Sequence, residues 1–351
     1  MTKNLEFRRL QKGDEAELSQ LFCEIFGDGK NADYWDWKYY RNPAGRHMTV
    51  VALHGPQLVG IIGNVPVKTK VGTKTLLAAQ GVDTAISPAH RKRTTFFRLE
   101  ASVREEMLKE NVNFSYAFSI KQTYDVFTKV LGFSGVCPIF NMSKVINPGP
   151  YLRQKTGMRL IPNLLGAIGK GTISRLNRRG LSAPPGLNVA DVTHFDHRFD
   201  DLWQSESKTF DIVVVRDSKY LNWRYIQSPF PYKVFCVESG KSVKGFVVLG
   251  CYQEEIARGR IVDFLAETGR EDIIGLLLTR AINYFLDRRV DVISCWMLEH
   301  WPVFDALRKR GFVWRETPHA LMVRSYSSVL GNAYLSAKDR WYTTMGDSDY
   351  F

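Results

Sequence analysis

The sequence predicts an α/β protein of the α+β kind, in which a mixed β-sheet flanked by helices occurs twice in tandem. Three observations lead to this reading. The chain has 351 residues, more than the ~250 at which a single hydrophobic core tends to stop growing. An aromatic stretch occurs twice. In both halves the apolar pattern alternates between the two-residue period of strands and the 3.6-residue period of helices, in the same order.

The repeat is legible residue by residue. YWDWKYYRNP at 34–43 answers YLNWRYIQSP at 220–229, so Tyr34/Tyr220, Trp37/Trp223, Lys38/Arg224, Tyr39/Tyr225 and Pro43/Pro229 stand in register. Val82-Asp83 answers Val262-Asp263, and Gly132-Phe133 answers Gly311-Phe312. Trp37 precedes Asp83 by 46 residues and Trp223 precedes Asp263 by 40, while Asp83 to Gly132 is 49 and Asp263 to Gly311 is 48. Self-similarity in one order with near-constant spacing implies two homologous domains, at 1–146 and 187–328. A basic linker containing Gly and Pro (147–186) joins them, and a tail (329–351) follows.

In the first half, LEFRRL reads as a strand, and Leu18, Leu21, Phe22, Ile25 and Phe26 recur at helical spacing. The Trp/Tyr-rich stretch gives a second short helix. VVALHGPQLVGIIG reads as a hairpin turning at Gly55-Pro56. GVDTAIS is a strand, and Thr94 to Glu110 a long helix with Phe96, Leu99, Val103 and Met107 among its apolar positions. VNFSYAFSI is a strand, QTYDVFTKVL a helix, and CPIFNMSKVI a last strand. The second half repeats this with the hairpin VFCVESGKSVKGFVVL, the strand IVDFLAE, a long helix ending TRAINYFLDR, the strand VDVISCWML, the helix PVFDALRKR and the strand HALMVRSY.

Composition narrows the function classes. Hydrophobic residues at 44% and charged residues at 24% belong to a folded globular protein. No apolar run reaches the ~18 residues that cross a bilayer, and the first residues lack a signal-peptide core, which predicts a cytoplasmic protein. Five scattered cysteines without a CxxC pair suggest neither a disulfide framework nor a metal site. The net charge of +12 favours polyanionic partners. With no zinc-finger or RNA-recognition signature, nucleic acid is a minor prospect. Apolar and basic residues interleave between Arg159 and Arg179, a pattern that suits a helix packed between domains or weak contact with an anionic membrane.

A strand leading into Ser87-Pro88 and Arg91, a long helix after it, and later a helix ending Leu131-Gly132-Phe133 resemble the GCN5-related N-acetyltransferase (GNAT) superfamily. The resemblance implies an N-acyltransferase that moves an acetyl or other short acyl group from CoA to a primary amine, an amino sugar or a related small metabolite among the acceptors. It places the cofactor, acetyl-CoA, along Ala85, Ile86, Ser87, Arg91, Lys92, Arg93, Thr94, Thr95 and Ser119. The pyrophosphate would rest at the start of the long helix, where unpaired N–H groups and the positive helix end suit an anion. Two small positions of the family's motif hold Thr94 and Phe96 here, so close approach of a phosphate requires Phe96 to turn away. The matching turn of the second half, Glu267 to Asp272, holds three carboxylates, which marks that copy as degenerate or substrate-facing.

Acyl transfer to an amine needs a base and an acid for the departing thiolate. Asp83, on the strand that borders the thioester in this family, is the candidate base, although Asp263 at the matching place favours a shared structural role equally. The family's acid tyrosine is replaced by Thr128, and Tyr124, one turn earlier, is the substitute candidate. The C-terminal carboxylate of Phe351 is a further candidate base, since N-myristoyltransferases and enhanced-intracellular-survival type acetyltransferases use theirs; the tail would then thread into the first domain. Two alternatives stay open: a Fem-type aminoacyl transferase, and a non-catalytic tandem module that binds an anionic partner.

Overall fold

The computed structural model describes residues 5–27, 30–156, 183–253 and 255–350. The chain divides into two compact units. Unit 1 takes in Met1–Cys137, Gln227–Pro229 and His319–Arg340, and unit 2 takes in Pro138–Ile226, Phe230–Pro318 and Trp341–Phe351. Each unit therefore finishes its sheet with a strand from the other half of the sequence.

Unit 1 runs β1 (Glu6–Arg9), α1 (Glu15–Phe26), α2 (Ala32–Trp35), β2 (Val50–His54), β3 (Gln57–Val71), β4 (Lys74–Ile86), α3 (Arg93–Lys109), β5 (Phe114–Ile120) and α4 (Lys121–Lys129). Its strands lie side by side in the order β1-β2-β3-β4-β5, with β13 (Val313–Ser325) beyond β5. Pairing is antiparallel except between β4 and β5. Strands β3 and β4 form a second, longer hairpin that the sequence pattern does not predict. Gly72 turns it at φ 59°, a left-handed conformation that glycine adopts without a Cβ clash.

Helix α1 buries Leu18, Leu21 and Phe22 and ends on Gly27 in the left-handed conformation. Phe26, expected on the apolar face, is 58% exposed, because its helical phase carries it past the edge of that stripe. Helix α3 packs Leu99, Val103 and Met107 against Met48, Val50, Ala52, Val59, Ile62 and Ala79. Leu99 is sealed from solvent, and truncating a leucine in such a site costs about 3 kcal/mol.

Unit 2 orders β6 (Ser134–Val145), β12 (Val292–Trp296), β11 (Arg258–Ala266), β10 (Ser242–Tyr252), β9 (Tyr232–Ser239) and β7 (Asn188–Val192). Within it, Asn141–Val145 of β6 pairs antiparallel with Val292–Trp296. Its helices include α5 (Gly149–Thr156), α6 (His197–Glu206), α7 (Ser218–Leu221), α8 (Glu271–Asp287) and α9 (Pro302–Lys309). A short β8 (Ile212–Val214) pairs in parallel with β14 (Trp341–Tyr342). The single turn α10 (Asn332–Leu335) belongs to unit 1.

Strand, helix, short helix, hairpin, strand, long helix, strand, helix and strand thus follow one another in both halves, as the sequence pattern predicts. The basic linker residues 157–182 lie outside the described residues. Among the described residues no helix is long and apolar enough to cross a membrane.

Candidate active site

The site in unit 1 begins at a β-bulge. Ile62 stands opposite Thr84 and Gly63 opposite Val82, so Asp83 is the extra residue in β4. Its φ of 23° is one that residues with a side chain rarely adopt, and bulges of this kind re-aim a side chain out of the ladder. Asp83 turns toward the turn after α2. There Asn31 caps α2 by accepting from the Tyr34 N–H, and a π-helical turn, Asp36–Tyr40, follows. That turn brings two consecutive side chains onto one carboxylate oxygen. The Tyr39 hydroxyl donates to Asp83 Oδ2 at 2.6 Å, and Lys38 Nζ lies 2.6 Å from the same atom.

Both partners are buried, Lys38 at 4% exposure and Tyr39 at 1%. Lys38 also donates to the Tyr34 hydroxyl. Asp83 Oδ1 has no hydrogen-bond partner among the described residues. Close packing fixes this arrangement, since a Cβ at Gly63 would sit 2.5 Å from the Tyr39 hydroxyl.

Beside the bulge the sheet opens. The parallel pairing of β4 with β5 is confined to Ala78–Gln80 against Phe114–Tyr116. Beyond Gln80, β4 keeps its ladder with β3, and beyond Tyr116, β5 keeps its ladder with β13. The two strands therefore part in a wedge that leads from Asp83 on one side and Ser119 on the other toward the start of α3.

At the end of β4, Ala85, Ile86 and Ser87 are buried. Ser87 Oγ bonds His90 Nδ1 at 3.0 Å, and the His90 ring lies 5.1 Å from that of His54. Arg91 folds back, donating from Nε and Nη2 to the Ile86 carbonyl. Lys92, Arg93 and Thr94 are exposed and Thr95 is buried. No acidic residue stands in the first turn of α3, and no side chain caps it. Phe96 packs against the core cluster under the helix, so its ring is turned away from the helix start.

Ser119 Oγ bonds Thr123 Oγ1 at 2.9 Å and donates to the Ile120 carbonyl. The Tyr124 hydroxyl lies directly over Gly135, where a Cβ would approach it to 2.1 Å, and Thr128 Oγ1 donates to the Tyr124 carbonyl.

Unit 2 repeats the carboxylate cluster in a filled form. Asp217 caps α7 through the Tyr220 N–H, a π turn Asn222–Ile226 follows, and the Tyr225 hydroxyl donates to Asp263 Oδ2 at 2.8 Å. Here Arg216, fully buried, takes Asp263 and Asp347 together. Asp347 arrives from the C-terminal segment, whose residues 341–348 are all buried. Arg224 donates to the carbonyls of Gly346 and Ser348, and Thr344 Oγ1 donates to Asp263 Oδ1 at 3.0 Å. Tyr342 bonds the Phe264 carbonyl, and Trp301 donates to the Trp341 carbonyl.

The segment that leads to the chain end is thus part of unit 2; Phe351 itself lies outside the described residues. The turn before α8 is closed as well. The buried Glu206 carboxylate accepts from both N–H and Oγ1 of Thr268, and Glu271 and Asp272 occupy the first helical turn.

The relationships of the chain to known proteins agree with this geometry. The family model described as an acetyltransferase (GNAT) domain matches residues 6–130, the stretch that holds the bulge, the wedge and the start of α3. Residues 6–130 thus resemble a GNAT domain. A probable N-acyltransferase of unknown function from Enterococcus faecalis V583 superposes with a TM-score of 0.64 at 13% identity, over 92% of this chain and 73% of that one. A GCN5-related N-acetyltransferase from Kribbella flavida gives 0.62 at 13%, over 92% and 71%. One from Anabaena variabilis ATCC 29413 gives 0.60 at 11%, over 92% and 73%. At such identities the structures establish the fold, and they extend it beyond the GNAT match to most of the chain. No curated protein matches.

Sequence reasoning singled out Asp83 and the basic turn but not Lys38 and Tyr39, although both stood in the repeated stretch. Their signal was the recurrence of Lys/Arg-Tyr at 38–39 and 224–225. Arg216 and Asp347 carried no such mark, because neither their spacing nor their charge reveals which side chains are buried.

Proposed function

We propose that unit 1 is an N-acyltransferase that moves an acetyl or other short acyl group from CoA to a primary amine. The observation that supports this most is the parting of β4 from β5 beside Asp83. Unpaired strand edges are costly unless something completes them, and this gap joins a free carboxylate oxygen to a basic helix start.

In this reading acyl-CoA supplies the acyl group as a thioester. Its phosphates lie at Lys92, Arg93 and the N–H groups of the first turn of α3, which the helix dipole favours for an anion. The arm follows the wedge past Ala85, Ile86, Ser87 and Ser119. Arg91, engaged with the Ile86 carbonyl, braces the turn. Asp83 Oδ1 receives the acceptor ammonium, while Tyr39 and Lys38 hold Oδ2 and fix the carboxylate. The ammonium loses one proton to Asp83, its nitrogen bonds the acyl carbon, the C–S bond breaks, the nitrogen releases its second surplus proton to solvent, and the sulfur takes a proton. Tyr124, whose hydroxyl is within the same unit, is the proposed donor of that proton.

Unit 2, with Thr268 held by Glu206 and two carboxylates at the start of α8, is proposed to bind no acyl-CoA. Titrating the full chain with acetyl-CoA, followed by thiol release with a panel of amines, tests the proposal. One site per chain and release dependent on the amine support it. Absence of acetyl-CoA binding refutes it.

A further inference from the structure

Unit 2 presents a bound peptide on the residues that correspond to the site of unit 1. Its occupant is the chain's own segment 341–348, held through the Thr344 and Asp347 side chains and through its backbone carbonyls. Arg224 holds the carbonyls of Gly346 and Ser348. Gly346 crosses the Tyr225 hydroxyl so closely that a Cβ there would lie 2.1 Å from it and 3.4 Å from the Asp263 Cβ. Arg224, Tyr225 and Asp263 correspond to Lys38, Tyr39 and Asp83 in the repeat, and the tyrosine-to-aspartate hydrogen bond recurs in both.

The face on which this segment lies identifies the ligand it imitates. A Cβ at Gly259 in β11 would meet the Phe285 ring of α8, and one at Gly60 in β3 would meet Leu99 of α3. Gly63, three residues further along β3, meets Tyr39 instead. Successive side chains of a strand alternate between faces, so the tyrosine cluster lies on the face opposite the long helix whose start suits phosphate. The C-terminal segment pairs with β8, a few residues before α7, and Gly346 then crosses the Tyr225 hydroxyl. It therefore holds the place of an acceptor rather than of a cofactor.

We infer that the acceptor amine of unit 1 belongs to a peptide-like chain, bound extended across Asp83 and Tyr39. Its ammonium sits at Asp83 Oδ1, where unit 2 places the Thr344 hydroxyl on Asp263, and its first carbonyls lie toward Lys38, where unit 2 places Arg224. A small side chain crosses Tyr39, as Gly346 crosses Tyr225. This rests on the reading of unit 1 as an acyltransferase only for the transfer step; peptide binding stands apart from it.

The experiment is calorimetry of the full chain with glycyl-glycyl-glycine amide, with glycine amide and with glucosamine, each with and without acetyl-CoA, followed by thiol-release kinetics. The inference expects the tripeptide amide to bind at least tenfold tighter than glycine amide, and glucosamine weakest. Asp83→Asn is expected to weaken the tripeptide about tenfold while leaving acetyl-CoA affinity unchanged; Tyr39→Phe is the second variant should the first melt early. Affinity independent of peptide length, or glucosamine bound as well as the tripeptide, overturns the inference whatever the fate of catalysis. Peptide binding without acetyl-CoA binding upholds it and refutes the acyltransferase reading instead.

Discussion

Arg216 Nη2 lies 2.9 Å from Asp347 Oδ2, with the arginine side chain at 0% exposure and the aspartate side chain at 4%. The same guanidinium engages Asp263 at 3.1 Å, so a residue near the chain end is tied into the centre of unit 2. Asp347 also accepts from the Thr344 N–H. Burial pushes its carboxyl above the ordinary range, and Arg216 pulls it back.

Removing the Asp347 carboxylate therefore leaves buried donors on Arg216 and Thr344 unsatisfied. Asp347→Ala is expected to destabilise the protein by about 2–4 kcal/mol, read as a lower denaturant midpoint. Asp347→Asn should cost less, because it keeps the shape and removes a charge that burial already disfavours. Equal midpoints for the wild type and Asp347→Ala would show that the segment is not held by this contact.

In unit 1 the corresponding cluster is expected to act in chemistry. Tyr39→Phe removes the 2.6 Å hydrogen bond to Asp83 Oδ2 but leaves Lys38 on the same oxygen. The bulged carboxylate then has one fewer restraint. We expect kcat to fall about tenfold with acetyl-CoA affinity unchanged, whereas Asp83→Asn, which removes the base, should lower kcat by ~10²–10⁴. Thermal melts of both variants distinguish this from unfolding. A fall in acetyl-CoA affinity with kcat intact would place Tyr39 on the cofactor side.

The fold was legible in the sequence because its signals are local. Alternation marks VFCVES and helical spacing marks Leu99, Val103 and Met107, and both survive packing unchanged. The repeated aromatic stretch located the π turn without revealing it, since an extra residue in a helical turn leaves no periodic trace over five positions. Asp83 was legible as a candidate, but its bulge depends on the register of β3, which no single strand encodes. The exchange of last strands between halves was hidden for a similar reason: HALMVRSY and NMSKV read as strands wherever they pair. The C-terminal segment had no apolar periodicity to announce its burial, because the buried Trp341, Tyr342 and Met345 are interleaved with Thr344, Asp347 and backbone carbonyls that make its polar contacts.

The basic turn gives a prediction about affinity rather than rate. Lys92 and Arg93 are exposed at the start of α3, while the Arg91 fork is engaged with the Ile86 carbonyl. Replacing Lys92 and Arg93 together by alanine should weaken acetyl-CoA binding about tenfold, or about 1.4 kcal/mol, with an effect that shrinks in high salt. Arg91→Ala should act mainly through a lower melting temperature. Calorimetry at two salt concentrations separates the charges from the brace, and a larger affinity loss for Arg91→Ala would reverse their roles.

A last prediction concerns Glu100 on α3. Burial raises its carboxyl to about 7 from an ordinary value of 4.5, with Arg324 pulling the other way. The folded protein then holds a proton that the unfolded chain releases as pH climbs through 4.5. Stability from this group is accordingly full below 4.5, declines between 4.5 and 7, and stays reduced above 7. Glu100→Gln removes the ionisation and keeps the shape. Its advantage over the wild type is expected to grow across that window to about 1–3 kcal/mol and then level off. Chemical denaturation at pH 5 and pH 8 measures this directly. An advantage equal at both values would mean that Glu100 ionises in the folded protein as freely as in the unfolded chain, and that Arg324 offsets its burial in full.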